Sequence, residues 1–125
     1  MKNKLVDYIY ILLTIGLTVY GQIILKWRIR YLGKLPDNIS DKIKFLVSLI
    51  YDPGIFSGFF AAFLASLAWM AAMTKFDLSH AYPFMSLNFV LVLLLSGLIF
   101  SESVTTNKIV GVTFIVIGTL ISSYE

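Results

Sequence analysis

Four long stretches of this chain, residues 8–25, 53–74, 78–101 and 109–124, contain no Asp, Glu, Lys or Arg. They hold 18, 22, 24 and 16 residues and are apolar on every side rather than in alternation. A helix rises about 1.5 Å per residue and a bilayer's hydrocarbon core is about 30 Å thick, so about 20 such residues cross it once. The pattern therefore predicts an all-α membrane protein with four transmembrane helices, at about 5–26, 55–73, 78–100 and 106–123. The fourth reaches full length by using the polar stretch from Thr105 to Asn107 as its first turn, with Lys108 snorkelling. Membrane β-strands are excluded, because each would read as about 10 residues of in/out alternation. Residues 1–125 form a single four-helix transmembrane domain in this reading.

Between the first two spans the period changes. Ile43, Leu46, Val47 and Ile50 recur at helical spacing while Lys42, Lys44 and Ser48 lie largely opposite. This segment, about 40–51, is too short to span, and it predicts an amphipathic helix lying at the membrane interface, ended by Asp52-Pro53-Gly54. Lys2 and Lys4 ahead of the first apolar run resemble the start of a secretory signal peptide. No small-x-small cleavage pattern follows before Lys26, so the run reads as a retained helix.

Composition agrees: 58% of residues are apolar and 14% charged, against about 45–50% and about 25% in soluble domains. The net charge is +3. Lys26, Arg28, Arg30 and Lys34 cluster where helix 1 ends, which suits an anionic leaflet. Loops one and three together carry seven Lys and Arg against three on the other side, favouring both termini outside. The basic residues lack a groove interleaved with aromatics outside the bilayer, so no nucleic-acid partner is expected. The absence of cysteine removes disulfides, thiolate metal sites and cysteine nucleophiles. With His80 as the single histidine and no phosphate loop, His-Glu-x-x-His or nucleophile elbow, neither an enzyme nor a cofactor is expected.

The candidate chemistry lies in polar residues inside the apolar blocks, which are expensive in hydrocarbon unless they face a partner or a cavity. Thr14, Thr18, Gln22 and Lys26 stand four apart, a stripe about 18 Å long on helix 1 that ends in a cation. The stripe either packs against a neighbouring helix, with Lys26 snorkelling, or lines a path for hydroxyls and an anion. On helix 3, Tyr82 and Ser86 share a face, Pro83 removes a helical hydrogen bond and loosens the first turns, and Asn88 brings an amide. A buried Asn needs three or four hydrogen-bond partners, which a helix contact or a ligand can supply equally well. Gly111 and Gly118 share one face of helix 4, for packing within the chain or for a dimer seam. In helix 2, the small residues Ser57, Gly58, Ala61, Ala62, Ala65, Ser66 and Ala68 allow close approach of a neighbour.

Tyr20-Gly21-Gln22 with Lys26, the run Ala81-Tyr82-Pro83-Phe84-Met85-Ser86-Leu87-Asn88-Phe89-Val90, Phe100-Ser101-Glu102, and the Gly111–Gly118 pair carry a family resemblance. The chain resembles the small four-helix transporters of the drug/metabolite superfamily. It resembles more closely the subunits of the 4-amino-4-deoxy-arabinose phosphoundecaprenol flippase. The sister family of small multidrug resistance exporters places a membrane glutamate where Thr18 stands and a tryptophan where Met85 stands. Without that carboxylate, a proton cannot be traded for a cationic drug.

The resemblance implies a flippase subunit of a bacterial inner membrane, with a polyprenyl phosphate or undecaprenyl-phosphate-linked sugar as its partner molecule. Lys26 or Arg28 would offset the phosphate, and Gln22, Ser86, Asn88, Tyr82 and Thr18 would line the path of the sugar while the tail stayed in lipid. One four-helix chain is too thin to enclose such a path, so a homodimer or a heterodimer with a related four-helix subunit is expected. An antiparallel dimer would supply cation and aromatic at each face, and the charge bias favours a heteromeric partner. An exporter of small cations or metabolites, of the small multidrug resistance type, and a noncatalytic scaffold for a glycosyltransferase are the alternatives.

Overall fold

The computed structural model describes residues 2–124, with side chains from residue 5 onward. The chain forms α1 (Lys2–Leu32), α2 (Ile39–Ile50), α3 (Pro53–Met73), α4 (Leu78–Ala81), a 3-10 turn (Tyr82–Ser86), α5 (Leu87–Ile99) and α6 (Thr106–Ser123). Four segments, Leu5–Leu32, Pro53–Met73, Leu78–Ile99 and Thr106–Ser123, are long and apolar enough to cross a membrane, as the charge-free blocks predict.

α1 continues six residues beyond the expected end at Lys26, because nothing in Trp27–Leu32 interrupts a helix. Gly33 stops it at φ +117°, a conformation open to glycine, with its N–H on the Ile29 carbonyl at 3.3 Å. At 31 residues α1 is about 46 Å long, more than the hydrocarbon slab, so its basic end projects beyond it.

The Asn38 side chain caps α2 by accepting from Ser40 N–H at 2.8 Å. Leu49 alone of this helix is buried. Ile43, Leu46, Val47 and Ile50 are exposed on the subunit, as an apolar stripe facing lipid would be. Asp52-Pro53-Gly54 does more than end α2. Asp52 is the N-cap of α3, accepting from Ile55 N–H at 3.1 Å, and Pro53 occupies the first helical position.

α1 and α3 pack most closely. At their crossing, a Cβ on Gly21 would sit 3.1 Å from the Gly58 carbonyl oxygen, and a Cβ on Gly58 would sit 2.9 Å from Ile24 Cγ2. The two backbones touch because neither residue has a side chain. The core lies toward the other end of this pair: Ile11, Ile15 and Val19 of α1 meet Ala72 and Ala81, with Trp69, Phe76, Phe84 and Met85 packed around them.

The third span is not one helix. Pro83 has no N–H to donate and crowds the preceding turn, and the chain tightens from α4 into a 3-10 turn before α5 begins. The Pro83 carbonyl accepts from Ser86 Oγ at 2.5 Å and from Thr119 Oγ1 of α6 at 3.1 Å. Ser86 Oγ and Thr119 Oγ1 lie 2.6 Å apart, so the two hydroxyl protons are shared between this contact and the carbonyl. This knot holds α6 to the break, and Thr119 is the one buried residue among those described in α6.

Candidate functional site

Two grooves flank the Thr18–Gln22 portion of α1. The first, about 520 Å³, runs between α1, α3 and the 3-10 turn. Its floor is the glycine crossing and the small residues Ala62 and Ala65, and its polar lining is Thr14, Thr18, Gln22, Ser66 and Tyr82. Thr14 has already spent its hydroxyl on the Tyr10 carbonyl at 2.8 Å. Tyr82 is 64% exposed, held edge-on to Trp69 with ring centres 6.0 Å apart. Both rings border the groove and leave its polar groups accessible.

The second groove, about 550 Å³, lies between α1, α5 and α6. Phe89, Val92, Leu93, Val112 and Ile115 make it oily, and Gln22, Asn88, Ser96, Glu102 and Lys108 supply its polar groups. Asn88 Oδ1 is buried and accepts no hydrogen bond from the described residues. A stranded buried acceptor costs about 1–3 kcal/mol, so this oxygen carries an unmet hydrogen bond. Gln22 lines both grooves and joins them.

The groove's mouth is charged. Lys26 Nζ lies 3.8 Å from Glu102, with both side chains about half exposed at 55% and 42%, a solvated pair that contributes little to stability. Glu102 reaches this place through the turn after α5. Ser101 adopts φ +56°, a left-handed conformation more often taken by glycine, and Phe100 and Glu102 both donate to the Ser96 carbonyl at 3.0 and 3.3 Å. Lys108 Nζ donates to the Ser103 carbonyl at 3.2 Å.

Of the residues expected from sequence, Thr18, Gln22, Tyr82 and Asn88 line a groove. Lys26 stands at the mouth beside Glu102. Ser86 lines neither groove, because its hydroxyl is tied into the knot at Pro83. Arg28 is turned away as well: its Nε and Nη2 donate to both Asp52 oxygens at 2.9 and 2.8 Å, and it lies against Gly54, where a Cβ would meet Arg28 Cγ at 2.6 Å. This fork holds the Asp52 carboxyl below its usual range, with the Ile55 N–H adding to the effect.

Ser96, Glu102 and Lys108 are groove residues that sequence reasoning does not put in the site. The available signal was topological. Helices 1 and 3 run in the same direction, so the loop carrying Glu102 must end beside Lys26.

The EamA-like transporter family model matches residues 8–124. Curated relatives include a protein of Erwinia tasmaniensis, 38% identical over 109 residues, covering 81% of each chain. Another, from Aeromonas salmonicida, is 32% identical over 116 residues, covering 91% of this chain and 76% of its own. Both are named as a probable 4-amino-4-deoxy-L-arabinose-phosphoundecaprenol flippase subunit ArnF. A protein of Pseudomonas fluorescens named as the corresponding subunit ArnE is 26% identical over 113 residues, covering 90% of this chain and 93% of its own. No solved structure matches the chain. Four membrane-spanning helices, two lateral grooves with polar groups in oily walls, and the match over nearly the whole length agree: the chain belongs to the EamA-like transporter family and is a multi-pass membrane transporter, not an enzyme.

Proposed function

We propose that the chain is one subunit of a bacterial inner-membrane flippase that moves a polyprenyl-phosphate-linked sugar between leaflets. The observation that carries this reading is the buried, unpartnered Asn88 Oδ1 in a groove whose mouth bears Lys26, Glu102 and Lys108. A sugar hydroxyl is a donor for Asn88, and the lysines offset a phosphate charge whose burial alone costs several kcal/mol. The oily walls take the first isoprene units, and the rest of the tail stays in lipid. Thr18, Gln22 and Tyr82 extend the polar lining into the first groove and so toward the other membrane face. Arg28 and Ser86 serve the frame, through Asp52 and through the knot.

The partner in this reading is a related four-helix subunit in antiparallel orientation. α5 has no buried residue and α6 only Thr119 among those described, so these two walls of the second groove leave surface for a partner to cover. Lys26 and Tyr82 sit toward opposite membrane faces, and an inverted partner supplies the missing type at each.

The test is translocation in vesicles reconstituted with this subunit and its partner, using defined polyprenyl phosphate sugars, with and without a proton gradient. Gln22→Leu, Lys26→Gln and Asn88→Leu are each expected to slow translocation about tenfold, equivalent to about 1.4 kcal/mol, with assembly intact. Movement of none of the lipids, or loss of assembly alone in all three variants, overturns the reading.

A further inference from the structure

A second face of α1 carries a site that transport through the grooves does not use. Tyr20, Ile23, Ile24 and Trp27, with Ile99 at the end of α5, line a wholly apolar furrow of about 220 Å³. Trp27 and Ile99 also border a hollow of about 360 Å³ whose other walls are Arg30, Tyr31 and Phe100. The two are continuous through their shared residues. Positions 20, 23/24, 27 and 30/31 follow the helix period, so furrow and hollow form one stripe running about 15 Å along α1, oily at one end and cationic at the other.

Arg30 differs from the other cations nearby. Arg28 is taken by Asp52 and Lys26 is near Glu102, whereas Arg30 has no carboxylate partner among the described residues. Its guanidinium stands 5.3 Å over the Phe100 ring. This cation–π contact holds the guanidinium in place, and its N–H donors remain available for two oxygens of an anion. Trp27 and Tyr31, edge to face at 5.8 Å, wall the same hollow, the amphipathic pair suited to headgroup depth.

We propose that this stripe binds an anionic glycerophospholipid of the surrounding leaflet, its phosphate on Arg30 and part of one acyl chain in the furrow of Tyr20, Ile23 and Ile24. The commitment to a bilayer lipid rests on charge complementarity at the most basic end of the molecule, where anionic lipid concentrates. It rests also on a furrow too small for more than part of one chain. This site lies apart from both grooves, so it stands or falls independently of the transport reading.

The chain has two tryptophans, and Trp69→Phe leaves Trp27 as the single reporter. In phosphatidylcholine vesicles containing the full chain, brominated phosphatidylglycerol is expected to quench Trp27 at about one fifth the mole fraction that brominated phosphatidylcholine requires. Arg30→Gln should abolish this preference and Arg30→Lys should keep most of it, with helix content by circular dichroism unchanged in both. Equal quenching by the two lipids in the parent, or a preference that survives Arg30→Gln, overturns the proposal. Displacement of the brominated phosphatidylglycerol by a few mole percent of unlabelled undecaprenyl phosphate also overturns it, by giving the site to the carrier lipid.

Discussion

α1 and α3 meet backbone to backbone at Gly21 and Gly58 and bury Ile11, Ile15 and Val19 around their far ends. α5 and α6 make a different pair: they are as apolar, yet α5 buries no residue, and α6 is anchored chiefly by the hydroxyl knot at Pro83. Hydrophobicity therefore does not distinguish a packed helix from an unpacked one in a membrane protein, because lipid satisfies apolar surface as well as protein does. Small residues facing a neighbour make the difference. Gly21 and Gly58 have one, whereas Gly111 and Gly118 have nothing within 4 Å of a would-be Cβ. One half of the subunit is closed by its glycine crossing, and α6 of the other presents Gly111 and Gly118 outward.

The largest break in this contrast should come from Gly58→Leu. The added side chain meets Ile24 and the α1 backbone, and overpacking of this kind costs about 1–3 kcal/mol, read as a lowered unfolding midpoint in denaturant. Gly111→Leu, equally bulky, should leave that midpoint in place and weaken only association with a partner, measured by energy transfer between labelled subunits. Loss of subunit stability in both variants would erase the difference between the halves.

Asn88→Leu should act in the opposite sense on stability. Removing a stranded acceptor from the oily groove should raise the unfolding midpoint, by at most the about 1–3 kcal/mol that an unsatisfied group costs, while translocation falls. A structural asparagine bonded to a neighbouring helix would lose both together.

Asp52→Asn should lower the midpoint of the α1–α3 half by weakening the fork on Arg28, with the α3 cap retained, so the effect is smaller than that of Gly58→Leu. The pH dependence follows from the same pair. Arg28 holds the Asp52 carboxyl below its usual value, so its stabilisation is complete above an unfolded pKa of about 3.9. It is lost only as pH falls through the lower folded value. The midpoint attributable to this pair should stay flat from neutral pH to about pH 5 and decline below about pH 4, a decline absent in Asp52→Asn. Smallest of all, Ser101→Gly should stabilise the Glu102 turn by less than about 1 kcal/mol, because a left-handed conformation costs a side chain about 1–2 kcal/mol and glycine's freedom in the unfolded chain offsets part of the gain.

The four spans were legible because charge is excluded from hydrocarbon whatever the packing. The loosening at Pro83 was legible from a missing N–H. The extension of α1 to Leu32 was signalled less clearly, since Arg28, Arg30 and Trp27 read as interface residues although nothing in them ends a helix before Gly33. Thr18, Gln22, Tyr82 and Asn88 could be picked out as polar groups in apolar blocks. Whether such a group is free or engaged depends on what packing brings to it. Ser86 finds Thr119, which lies 33 positions away, and Arg28 finds Asp52 at 24; no local spacing announces either meeting. Glu102 sits outside the apolar blocks, where a charge excites no suspicion, and only its return to Lys26 makes it part of the groove.

The carbonyl of Pro83 is served by two hydroxyls, one from its own turn and one from α6. Either can let go while the other keeps the oxygen satisfied. Tilting α6 away from the broken span therefore strands no acceptor: the turn closes on its own hydroxyl, and Thr119 falls back on the Ile115 carbonyl of its own helix, so the joint is a latch that opens without loss to either side.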